Sequence, residues 1–125
     1  ENDSKTNWKV IRYADVLLMY AEALNENGKT SEALEYLNQV RNRAGLQGFS
    51  SISQEETREK IYMERRFELY LEGHRWFDLV RTGRAMEAMQ AAGKNMQPYQ
   101  LVFPIPQSQI EVVNDPSIFS QNEGY

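Results

Sequence analysis

The chain has 125 residues, 14 lysines and arginines against 18 aspartates and glutamates, a net charge of −4 and no cysteine. That length suits one domain. The acidic balance excludes nucleic-acid binding, which calls for a basic face, and the missing cysteine excludes disulfides, thiolate metal sites and cysteine nucleophiles. No run of about 20 apolar residues is present to cross a membrane as a helix, and the polar opening Glu1 to Asn7 does not read as a signal peptide.

Residues 1–7 read as a frayed leader, with Trp8-Lys9-Val10 extended after it. Arg12 to Asn27 carries a helical stripe of Ala14, Leu17, Leu18, Ala21 and Leu24. A second stripe holds Val16, Tyr20 and Ala23, and Arg12, Asp15, Glu22 and Glu26 share the wet face. Gly28 ends this helix in a left-handed conformation. Thr30 or Ser31 caps the next helix, whose buried stripe is Ala33, Leu34, Leu37, Val40 and Ala44, and Gly45 stops it with Leu46 folding back. The very short turn between the two makes them an antiparallel hairpin.

Small residues at Ala21, Gly28 and Ala33, with Leu24 and Leu37 on larger seats, match a tetratricopeptide repeat. A second copy lies 45 residues on: Gly28 maps to Gly73, Leu24 to Leu69 and Ala33-Leu34 to Asp78-Leu79. The repeat length is about 34, so the excess of about eleven fits a loop inserted after Gly45, and Leu46 to Ser53 is rich in glycine and serine. A third helix starts at Ser53, with Glu56 closing a capping box, and runs to about Glu72. A fourth begins near His74. It is interrupted at Thr82-Gly83 before Arg84 to Ala92, where Met86 and Met89 give a short apolar side. Gly93 to Gln97 is a loop. Pro104, Pro106 and Pro116 then forbid long helix, leaving Leu101-Val102-Phe103 extended and Ser108 to Val112 as one helical turn. Ile105, Ile110, Val112, Ile118 and Phe119 should be buried as this tail wraps over the helices.

The fold expected is therefore all-α: two antiparallel helix hairpins stacked like tetratricopeptide repeats, with an irregular C-terminal wrap. It is laid out as one domain over 1–125, with a leader at 1–9, helical repeats at 10–92 and the wrap at 93–125.

The chemistry concentrates between Glu64 and Arg84. Charges are threaded there among Phe67, Leu69, Tyr70, Leu71, Trp76, Phe77, Leu79 and Val80, so no helix face is purely polar. Covered charges must be paired, and Glu and Arg at three- and four-residue spacing supply partners. The reading preferred is a structural ion network of Glu64, Arg65, Arg66, Glu68, Glu72, Arg75, Asp78 and Arg81 rather than a catalytic site. Under the 45-residue offset Arg66 and Asp78 replace Ala21 and Ala33. Arg65 or Arg66 should then bridge to Asp78, and Glu68 or Glu72 should satisfy Arg75. The acids form no general acid–base pair, because arginines neighbour nearly all of them. His74 is the one histidine and has no companion for a metal. Asn114-Asp115 before Pro116 reads as a turn rather than a calcium site. Trp8, Trp76 and the tyrosines could stack on sugar rings, with core packing the preferred reading. No cofactor, metal site, catalytic residue or ligand-binding residue is assigned.

The ordered run Glu64-Arg65, Glu68, Glu72-Gly73, Arg75-Trp76-Phe77-Asp78-Leu79, Arg81 and Gly83 resembles the C-terminal region of the SusD/RagB family of outer-membrane nutrient-binding lipoproteins. Ile11 to Leu24 and Ala33 to Gly45 look like the family's preceding helix pair. Pro104-Ile105-Pro106 and Gln121-Asn122-Glu123-Gly124-Tyr125 look like its ending. Glu123 stands where that ending usually has proline, and Gln109 where an acid is frequent. The likeness covers the last quarter or so of the family's proteins, so it implies a C-terminal part of a longer chain whose lipid anchor lies elsewhere. It further implies a cell-surface protein of the outer membrane that binds glycans or other nutrients, is no enzyme, and lids a TonB-dependent, SusC-like transporter. Ligand contacts would come mainly from segments absent here. The alternative is a free-standing helical-repeat module that binds a protein partner.

Overall fold

The computed structural model describes residues 9–125. The expected leader and Trp8 lie outside them. The described chain is helix, turn and irregular segments with no strand, as an all-α fold requires. It forms two compact units, one up to Arg75 and one from Trp76 to Tyr125.

The first unit holds α1 (Tyr13–Glu26), α2 (Thr30–Arg43) and α3 (Gln54–Glu68). α1 and α2 make the hairpin, and α3 packs on both, mainly on α1. Its core is Ala14, Leu17, Leu18, Ala21, Leu34, Leu37, Val40 and Ile61. The small residues Ala21 and Ala33 are both fully buried, as the repeat reading requires. The second α1 stripe stays outside, with Val16 and Tyr20 exposed.

Both hairpin helices stop on left-handed glycines, Gly28 at φ 77° and Gly45 at φ 74°. Each time the two following amides fold back: Gly28 N to Asn25 O with Lys29 N to Leu24 O, and Gly45 N to Asn42 O with Leu46 N to Arg41 O. The expected side-chain cap on α2 is absent, because Thr30 is already helical. Its hydroxyl donates instead to Asn25 Oδ1. Fully buried Asn25 then ties three elements together. Its Nδ2 donates to Gln54 O at 2.9 Å, while Gln54 Nε2 donates to the Asn25 carbonyl. α3 begins as predicted, with Ser53 and Glu56 exchanging both capping-box bonds.

The loop between α2 and α3 is anchored. Asn38 imitates a peptide group, donating Nδ2 to Phe49 O and accepting from Phe49 N on Oδ1, both at 2.8 Å. Phe49 packs against the core with the Arg41 guanidinium 4.1 Å from its ring centroid. Gly48 lets this happen: a Cβ there would meet Asn38 Cγ at 2.8 Å. Gly48→Ala should displace the amide and lose about 1–2 kcal/mol of stability. Urea unfolding checks this, and a variant equal to its parent would show that the loop has no need of Asn38.

α4 (His74–Arg81) carries the chain into the second unit, which continues with α5 (Ala85–Ala91), a 3₁₀ turn (Pro98–Leu101) and α6 (Gln107–Val113). The ending is stitched to the segment before α6. Gln121 Oε1 accepts from Ile105 N and its Nε2 donates to Ile105 O. Asn122 Nδ2 donates to Phe103 O, and Tyr125 Oη to Val102 O. The burial expected of the tail is corrected in part. Ile105, Ile110 and Phe119 are half-buried, but Val112 is 79% and Ile118 75% exposed. Side-chain bonds to backbone hold this segment in place of apolar packing. Asp115 accepts from the amide and hydroxyl of Ser117, so Asn114-Asp115-Pro116 is the turn it was read as.

Candidate functional site

The central stretch is inverted relative to a simple amphipathic helix. Glu64 and Arg65 of α3 are buried, while Phe67, Tyr70 and Leu71 are 67%, 73% and 83% exposed. The charges go inside because α1 and α2 meet them with opposite charges.

Arg65 Nη1 donates to Asp15 Oδ1 at 2.8 Å, with both side chains 5% exposed. Asp15 lies on the α1 face taken as wet. α3 covers that face, so the acid is interior. One residue earlier on α3, Glu64 accepts from Arg41 of α2 at 2.8 Å. Both hairpin helices are thus pinned to α3 by neighbouring ion pairs of opposite direction.

A third cluster closes the end of α3. Arg12, just before α1, donates Nε and Nη2 to the two oxygens of Glu72 at 2.8 and 2.7 Å. Its Nη1 reaches Glu68 Oε1 at 2.9 Å, and Nη2 also reaches the Glu68 carbonyl at 2.7 Å. One guanidinium therefore forks a carboxylate and satisfies an orphan carbonyl at a helix C-terminus. Hydrogen bonding from Arg12 holds the Glu72 carboxyl below its ordinary pKa, and the same contacts raise that of Arg12. Glu68 also takes Arg43 of α2.

One sequence expectation fails here. α3 ends at Glu68 rather than Glu72, and Leu71 adopts a left-handed φ of 64° in the turn that follows. Glu72 thereby leaves the helix and turns to Arg12. The turn also invalidates the 45-residue offset within α3. Leu24 lies inside α1, but its counterpart Leu69 is already the cap of α3. The glycine match is consequently one residue out of step with the helix face. Arg66, placed by that offset in a covered seat, is exposed, and Arg65 takes the interior position. Asp78 on α4 accepts from Arg81 Nε one turn on, at 2.9 Å.

Sequence reasoning missed Arg12, Asp15, Arg41 and Arg43 as partners. A signal was available for Arg12 and Asp15, since an acid and a base flank the α1 apolar stripe and the same types recur on α3. Among the described residues no three acidic or histidine side chains gather to hold a metal, and no helix is long and apolar enough to cross a membrane.

Comparison with known proteins places this architecture. The SusD family model matches residues 1–125. SusD-like protein P2 of Formosa agariphila is 37% identical over 98% of the chain, which spans 27% of that protein. A crystal structure of a SusD superfamily protein from Bacteroides vulgatus superposes with a TM-score of 0.83 at 32% identity, over 98% of this chain and 28% of the other. A solved laminarin-binding SusD-like protein gives a TM-score of 0.71 at 40% identity, over 93% of this chain and 23% of its own. The chain thus spans about a quarter of the length of these relatives, and over that span it belongs to the SusD family.

Proposed function

We propose that this chain is the C-terminal helical scaffold of a SusD-like cell-surface protein that binds glycans or related nutrients and hands them to a TonB-dependent, SusC-like transporter. The observation that carries this reading is the inversion at α3. The charged groups that could do chemistry or grip a ligand are committed to ion pairs between helices. The outward face instead offers Phe67, Tyr70 and Leu71, a surface suited to packing against protein. A scaffold needs that combination, and an active site does not. The laminarin-binding relative supports a glycan as the ligand class. On this reading the main glycan contacts and the lipid anchor at the outer membrane belong to other segments, the chain is no enzyme, and the ion network of Glu64, Arg65, Glu68 and Glu72 is structural.

Calorimetric titration of the chain with laminarihexaose tests this. No submillimolar dissociation constant is expected, and one below that limit would overturn the scaffold assignment.

A further inference from the structure

The second unit contains a cleft of about 610 Å³ lined by Gln97, Pro98, Tyr99, Val102, Asn122 and Glu123, with Gly124 beside them. That volume lies in the range of small-molecule sites, roughly 300–1,000 Å³. We infer that this cleft is a weak subsite for one or two rings of a neutral oligosaccharide, with Tyr99 as the stacking platform and Asn122 and Glu123 as hydroxyl acceptors.

Three observations support it. The first is a fixed, accessible aromatic. Tyr99 is 38% exposed, yet Tyr125 meets its ring edge-on with centroids 5.0 Å apart. Gly124 has room beside that ring only because it lacks a side chain, since a Cβ there would run into Tyr99. A ring held in this way loses little further freedom when a sugar's apolar face covers it. The second is the polar complement. Asn122 spends its Nδ2 on Phe103 O, which leaves the amide oxygen as an acceptor. Glu123 is exposed at the cleft, and its carboxylate can accept from two hydroxyl donors. The third is charge. No lysine or arginine lines the cleft, and its one ionised group is an acid. Uronic-acid or sulfated sugars would be repelled, so the class is neutral.

The inference rests on the glycan-binding reading and assigns it a second, peripheral contact. One face and two acceptors place the affinity in the millimolar range, compatible with the absence of tight binding expected above. The test is a titration of the 125-residue chain, labelled with ¹⁵N, with laminarihexaose and, separately, hexagalacturonate. The neutral sugar should shift the amides of Tyr99, Asn122, Glu123 and Gly124 and saturate at millimolar concentration. Tyr99→Ala should weaken this about tenfold and Tyr99→Phe should preserve it. Hexagalacturonate should leave these amides unmoved. Glu123→Lys, at an exposed position, should admit hexagalacturonate and keeps the inference testable where Tyr99→Ala does not fold. Shifts confined to other residues, equal response to both sugars, or a silent wild-type chain would each overturn the subsite. Silence would leave the scaffold reading standing, whereas submillimolar binding in calorimetry would overturn that reading instead.

Discussion

Arg65→Met should lower the free energy of unfolding by about 3–5 kcal/mol. The substitution leaves the Asp15 carboxylate inside the first unit, 4% exposed, with its guanidinium gone. A buried ion stripped of its partner keeps its desolvation cost and loses the attraction that offset it. Arg65→Lys should recover part of the loss, since an ammonium restores charge but not the planar fork. The double variant Asp15→Leu/Arg65→Met should recover much of the loss, because paired apolar side chains of similar volume remove the cost of the buried pair together with its compensation. Urea unfolding of the three variants decides the matter. If Arg65→Met matches the parent, the pair contributes nothing to stability; if the double variant is as unstable as the single, the loss comes from packing.

Arg12→Ala should cost about 2–3 kcal/mol at neutral pH. It removes a bidentate carboxylate contact, a second carboxylate contact and the satisfaction of the Glu68 carbonyl in one step. Glu68 keeps Arg43, which limits the loss. The pH dependence identifies the cause. Hydrogen bonding from Arg12 depresses the Glu72 pKa in the folded state. A depressed folded pKa stabilises fully above the ordinary carboxylate range, and that stability disappears as pH falls through the folded value. Arg12→Ala should therefore be most damaging near neutrality and converge on its parent in acid. Unfolding curves from neutral pH to about pH 2 would show a shallower acid limb in the variant. A loss of the same size at every pH would mean that Arg12 acts through its aliphatic stem.

These two expectations rest on parts of the molecule that were unequally legible in the sequence. The helices were readable because local rules set them. Alternating stripes, Gly28, Gly45 and the Ser53–Glu56 box each act within a few residues. The interior charges were readable as a class, because Glu and Arg set among aromatics have no polar face to occupy. Their partners were not. Asp15 and Arg12 look like wet-face residues until α3 covers α1, an event that depends on contacts about 50 to 60 residues away in sequence. The end of α3 was illegible for another reason. Glycine at position 73 signals a stop, but the chain leaves the helix earlier and places Leu71 in a left-handed conformation, which glycine would hold more cheaply. The 45-residue offset inherited that error and chose Arg66 over Arg65. In the tail, spacing of apolar residues predicted burial, whereas Gln121, Asn122 and Tyr125 bind backbone through side chains whose pairing no periodicity announces.

The Arg12 clasp also has a kinetic meaning. The α1–α2 hairpin closes through a short turn, so its contacts form early at little loop-closure cost. Arg12 meets Glu68 and Glu72 across 56 and 60 residues. It can engage only once α3 has docked and ended, which places the clasp on the native side of the folding barrier. Its energy then acts as a latch on escape: breaking it should accelerate unfolding and leave the folding rate nearly unchanged. Arg12, Glu68 and Glu72 would accordingly govern how long the first unit stays folded more than how fast it gets there.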